Sequence, residues 1–211
     1  MKIKCTTVGI IGTNCYILEK NGFSAVIDPG ENPTFIDKAV KEALPSGPNY
    51  IILTHTHFDH VGALGAIHEL YPKAIIATSE HSKLSTKAIK EQAKALLGGL
   101  YTSTCFGQEA FELPQPNLLL KDNDTLGPFQ ILYTPGHTMD SICLYSATDN
   151  LVFSGDTLFS GSYGRTDLGG SYEDIKTSLL RLLRLPPDTL VLPGHGESTT
   201  IGEEQRLIFS L

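Results

Sequence analysis

Apolar and polar positions alternate and cluster along the chain in a way that divides it into strands and helices. Cys15 to Leu18 and Ser24 to Ile27 are apolar runs flanking Glu19-Lys20-Asn21-Gly22, and Asn-Gly between two such runs is a strong hairpin signal. Pro33 to Leu44 has helical spacing at Phe35, Ile36, Ala39, Val40 and Ala43 before Pro45 stops it, and a strand over Tyr50 to Thr54 follows. Further helices are predicted over Val61 to Tyr71, Glu80 to Leu97 and Ser171 to Leu185, the last with Ser171 as N-cap. Short strands are predicted at Ala74 to Ala77, Leu118 to Leu120, Phe129 to Tyr133, Ile142 to Tyr145, Leu151 to Ser154 and Thr189 to Leu192, and the tail from Glu203 reads as helical. Residues 98 to 117 lack a clear period and hold Tyr101, Phe106, Phe111, Pro114 and Pro116, which suggests a packed loop or lid. Two strand-rich halves, each with its own helices, imply sheets packed together and covered by helices.

Composition narrows the class. With 211 residues, 41% hydrophobic and 18% charged, the chain reads as one ordered domain over residues 1–211. A net charge of -7 without a Lys/Arg cluster argues against nucleic acid as a partner, because phosphate neutralisation needs a basic patch. No window approaches a membrane span, and Val8 to Ile11 is too short for a secretory core, so a cytoplasmic protein is expected. Cys5, Cys15, Cys105 and Cys143 form no C-x-x-C pair and read as reduced, mostly buried thiols, with Cys105 the one to probe for reactivity.

The chemistry concentrates where strands end. Thr54-His55-Thr56-His57-Phe58-Asp59-His60 places four potential ligands within six residues, between a strand and a helix. His55 and His57 are two apart, so an extended segment points both the same way, as two ligands of one ion require. Asp59 and His60 fall where the chain turns into the helix and can address a second point. His137, in Pro-Gly-His-Thr, and His195, in Pro-Gly-His-Gly, each follow a predicted strand, whereas His68 on a helix reads as structural. Asp156 ends the Leu151 to Ser154 strand, and a carboxylate there can bridge two cations about 3.5 to 4 Å apart. Asp28 ends another strand before Pro29-Gly30 and is a candidate either to orient a ligand His or to cap.

In this order and spacing, the Asp28 strand end, T-H-T-H-F-D-H, G-H-T, S-G-D-T and the final P-G-H resemble the metallo-β-lactamase superfamily from end to end. The resemblance implies an α/β fold in the form of a four-layer αββα sandwich with a two-metal site. By position, His55, His57 and His137 would hold the first ion and Asp59, His60 and His195 the second, with Asp156 bridging. Zinc is the first choice of metal, with iron or manganese as alternatives.

Within the superfamily, Gly155 to Asp167, G-D-T-L-F-S-G-S-Y-G-R-T-D, is similar to glyoxalase II and its short relatives. A basic residue matching Arg165 there lies near the glutathione thioester, and Tyr163 would line the cleft. This implies hydrolysis of a thioester such as S-lactoylglutathione by a metal-bridging hydroxide, with Asp59 orienting it. Glyoxalase II proper has His where Thr56 stands and continues into a helical domain, whereas this chain stops soon after His195. Asp156 in place of Cys, with His60 present, argues against antibiotic hydrolysis, and the absence of a basic RNA-gripping arm argues against a transfer-RNA nuclease. Gly-Arg-Thr-Asp also resembles the persulfide dioxygenases, which imply a single iron on His55, His137 and Asp156. A closed structural metal site would need four ligands and no open position, which these residues exceed.

Overall fold

The computed structural model describes residues 1–98 and 112–206, and its amino-terminal sheet is built on the Asn-Gly hairpin. β1 (Lys2–Val8) and β2 (Thr13–Lys20) pair antiparallel, and β2 returns as β3 (Phe23–Ile27) with Lys20 opposite Phe23. Only Asn21 and Gly22 turn the chain, at φ 51° and 85°. A tight I′ hairpin demands positive φ at both positions, and these two residue types adopt it at least cost. Strand order then follows chain order: α1 (Pro33–Ala43) crosses to β4 (Tyr50–Ile52), and α2 (Phe58–Val61) with α3 (Leu64–Leu70) crosses to β5 (Ile75–Ser79). β3, β4 and β5 are parallel, and after α4 (Thr86–Leu97) the strand β6 (Leu118–Leu120) completes a six-stranded sheet.

One face of this sheet, with Ile17, Val26, Ile51 and Ile76, packs in a core with Ile36 and Val40 of α1, Ile67 of α3 and Ile89 of α4. Leu18, Ile27, Ile52 and Ala77, which point the other way, are buried as well. Strands covered on both faces read as continuous apolar runs, which is why they stood out in the sequence.

Two helices differ from expectation. The helix expected from Val61 begins at Phe58 and is split in two, so Asp59 and His60 are helical; the Phe58 N–H is capped by Gln92 Oε1 of α4 at 2.9 Å. The helix expected from Glu80 begins at Thr86. Glu80 N–H is instead spent on Leu120 O at 3.0 Å, and Ser85 caps the helix by accepting from Ala88 N–H. Of the segment 98–117, residues 99–111, including Cys105, lie outside the described residues; beyond them, Leu113 is buried in the amino-terminal core.

The second sheet contains β7 (Thr125–Leu126), β8 (Phe129–Tyr133), β9 (Ile142–Ser146) and β10 (Leu151–Gly155). A small hairpin, β11 (Leu158–Phe159) with β12 (Ser162–Tyr163), precedes α5 (Tyr172–Leu182). β13 (Leu190–Pro193), β14 (Thr199–Thr200) and α6 (Ile201–Glu204) follow, and the sheet order is β14-β13-β10-β9-β8-β7. α5 lays Ile175, Leu179 and Leu182 on Val152, Cys143 and Val191, while Phe129 and Phe153 on the opposite face meet edge-on at 5.7 Å. β8 and β10 both run antiparallel to β9, and β13 runs parallel to β10. These three strands therefore end on the same side of the sheet.

By internal contacts the chain forms two compact units, Met1–Thr78 with Lys83–Leu119, and Ser79–Ser82 with Leu120–Leu211. Among the described residues no helix is long and apolar enough to cross a membrane.

Candidate metal centre

In the amino-terminal unit the functional side chains gather at the carboxyl ends of the parallel strands β3 and β4, where open α/β sheets place their ligands. Asp28 leaves β3 at φ 51° and its buried carboxylate organises the group. Oδ1 accepts the Thr54 N–H at 2.8 Å, and Oδ2 accepts the Thr54 hydroxyl at 2.7 Å and faces His60 Nδ1 at 3.0 Å. A carboxylate only accepts, so Nδ1 of His60 carries the proton and Nε2 carries the lone pair. Thr54 Oγ1, having given its proton to Asp28, accepts from His55 Nδ1 at 3.1 Å, which sets the same tautomer in His55. The His55 ring lies 4.1 Å from that of His60 and 4.9 Å from that of His57. His60 Nε2 is 3.3 Å from Asp59 Oδ2, and Thr13 donates to that same oxygen at 2.9 Å. Ligand atoms of His55 and His57, of His55 and His60, and of Asp59 and His60 lie within 4.8 Å of each other.

In the second unit His137, Asp156 and His195 follow the ends of β8, β10 and β13. Asp156 Oδ2 stands 3.5 Å from Nε2 of both His137 and His195. His137 Nδ1 donates to the main-chain carbonyl of Arg165 at 2.7 Å, so its lone pair is also on Nε2. That contact depends on Gly164: a Cβ there would overlap the Asp156 carbonyl and come within 2.9 Å of the His137 ring. Gly136, at φ 139°, lets the His137 loop press on the start of α5, where a Cβ would overlap the Ile175 backbone.

Of the residues expected at the site, His55, His57, Asp59 and His60 are thus brought together in one unit, and His137, Asp156 and His195 in the other. Arg165 is exposed, and its guanidinium grips Asp167 through two bonds of 2.6 Å, which lowers the Asp167 carboxyl to about 2. Tyr163 is half-buried against the second unit's core. His68 lies on α3, on a helix as expected, and is half-buried. Sequence reasoning missed Thr13, Gln92 and the Arg165 carbonyl; a main-chain acceptor has no side-chain signature, and only the Gly before Arg165 hints at a close approach. Cys15 is buried, and burial, reinforced by the Asp28 charge, pushes its thiol well above the usual range, so it stays protonated. The donor set is therefore imidazole Nε2 and carboxylate, which suits zinc, iron and manganese.

This fold and these clusters define a metal-dependent enzyme of the hydrolase type. The chain belongs to the metallo-β-lactamase superfamily, whose family profile matches residues 8–195. Within it, hydroxyacylglutathione hydrolase GloC of Haemophilus influenzae is 33% identical over 211 residues, covering 98% of this chain and 96% of the relative. The TTHA1623 structure in a di-iron-bound form superposes with a TM-score of 0.86 at 35% identity, covering 99% of this chain and all of that one. The BLEG-1 B3 metallo-β-lactamase gives a TM-score of 0.76 at 32% identity, covering 97% of each chain. The fold class expected from the motifs is the one observed.

Proposed function

We propose that this protein is a metal-dependent thioesterase acting on glutathione thioesters such as S-lactoylglutathione. The observation that carries this reading is the likeness to GloC along nearly the whole of both chains. The match spans 98% of this chain and 96% of that relative. Residues 1–211 then act as one functional domain, in the cytoplasm, where glutathione keeps thiols reduced.

The seven residues His55, His57, Asp59, His60, His137, Asp156 and His195 would hold two divalent ions, zinc by preference. Such a pair supplies a water activated near neutral pH and a Lewis acid for the carbonyl oxygen. The chain's own part is preparation. Asp28, Thr54 and the Arg165 carbonyl fix three imidazoles with Nε2 lone pairs outward before any ion arrives. Asp59, whose Oδ2 accepts from the Thr13 hydroxyl at 2.9 Å, would take a hydrogen bond from the attacking water and aim it. A thiolate leaves without a general acid. Arg165 receives a substrate carboxylate, for an exposed pair such as Arg165 with Asp167 exchanges at little cost, and Tyr163 lines the approach.

Two other readings have an observation in their favour. Gly-Arg-Thr-Asp resembles the persulfide dioxygenases, with one iron on His55, His137 and Asp156, and the BLEG-1 likeness raises β-lactam hydrolysis. The test is to load the protein anaerobically, count its metals and offer the same sample S-lactoylglutathione, glutathione persulfide with an oxygen electrode, and a chromogenic cephalosporin. Two ions per chain and thiol release from the thioester, lost in Asp156→Ala, are expected. Oxygen uptake with one iron, or cephalosporin opening without thioester cleavage, would replace this reading with the corresponding alternative.

A further inference from the structure

Beneath the second unit's ligands lies a buried polar chain that the proposed reaction does not use. Thr134 Oγ1 is 3.1 Å from Thr157 Oγ1 and 3.2 Å from Cys143 Sγ, and the Cys143 thiol donates to the Ser154 carbonyl at 3.4 Å. Thr134, Cys143, Ser154 and Thr157 are all buried to within 0% exposure. Buried hydroxyls are retained only when satisfied, and here donors and acceptors match in one direction. Thr157 gives its proton to Thr134, Thr134 to the Cys143 sulfur, and Cys143 to the main chain at Ser154. Burial pushes the Cys143 thiol up to about 11, so the proton that ends the chain is present at neutral pH.

The placement matters. Thr134 is the last residue before Pro135-Gly136-His137, and its own N–H is fixed on Ser141 O at 2.9 Å. Thr157 follows Asp156 directly, in a turn closed by Thr157 N–H to Ser154 O at 3.0 Å and by Ser154 Oγ to Leu158 O at 2.8 Å. The hydroxyl pair therefore joins the base of the His137 loop to the base of the Asp156 turn. We infer that Thr134 and Thr157 are positioning residues, whose shared hydrogen bond sets the separation of His137 Nε2 from Asp156 Oδ2. This rests on the proposed role of those two residues as ligands. A ligand pair displaced by a few tenths of an ångström still binds metal, but with weakened affinity and altered geometry.

The test compares Thr134→Val with Thr134→Ser, and Thr157→Val with Thr157→Ser, in the full chain. Cobalt(II) is titrated by its visible absorption, and the His137 ring nitrogens are followed by NMR in metal-free protein. Each Val variant should bind cobalt about ten- to a hundredfold more weakly, the usual consequence of losing a group behind a ligand. It should also show a shifted absorption band and shifted His137 signals, and each Ser variant should restore all three. Wild-type affinity, band and ring signals in the Val variants, or failure of Ser to rescue, would overturn the inference. Should a Val variant not fold, Thr134→Ala removes the hydroxyl without adding a buried methyl and is read the same way. If the unaltered protein takes up no cobalt, the metal reading fails, and the ring signals of the metal-free variants still decide the positioning role.

Discussion

Asp28 shows how one residue can govern several. Its two oxygens serve Thr54 twice and His60 once, and through Thr54 they reach His55. Asp28→Asn replaces one acceptor oxygen with a donor and turns it on a hydroxyl and an imidazole N–H that both need acceptors. Zinc affinity, read by chelator competition, should fall about ten- to a hundredfold, and an unchanged affinity would deny Asp28 its orienting role. Cys143 offers a pH test. Its folded pKa is raised from 9.0 to about 11 by burial, above the unfolded value, so its contribution to stability is present below about pH 9 and is lost as pH rises through 11. In Cys143→Ala the thermal midpoint should fall less steeply across that window than in the unaltered protein; parallel curves would contradict the assignment. The histidines and aspartates of the centre were legible in the sequence because their side chains carry the chemistry. Thr13 was not, lying 46 residues from the Asp59 it supports.

Elements were legible where local signals agree and illegible where tertiary contacts decide. Asn21-Gly22 and the capped helices α1 and α5 state their own boundaries. At Glu80 the local periodicity favours helix, yet pairing with Leu120 wins because it extends a buried sheet edge. The two-residue strands β7, β11, β12 and β14 are too short to show a period at all. Ser171, whose Oγ accepts the Asp174 N–H at 3.3 Å, anchors the helix that covers the second sheet. Ser171→Ala should cost about 1 kcal/mol in urea unfolding. A loss below about 0.3 kcal/mol, smaller than a surface helix cap ordinarily contributes, would show that packing alone places α5.

For the whole molecule, the proposed metal binding would be a term in global stability. At a free ion concentration a thousandfold above Kd, binding to the native state alone adds about 4 kcal/mol, or about 10 °C in a chain of this size. Treatment with a strong chelator should lower the thermal midpoint by that order in calorimetry, and an unchanged midpoint would mean that no ion is held by the folded protein. The alignment of the imidazoles has a different consequence. His55 and His60 take their orientation from Asp28 and Thr54 in their own unit, and His137 takes its from Arg165 in its own. Each half thus inherits its ligand geometry as a self-contained package. A substitution confined to one unit should therefore leave in place the hydrogen bonds that orient the imidazoles of the other.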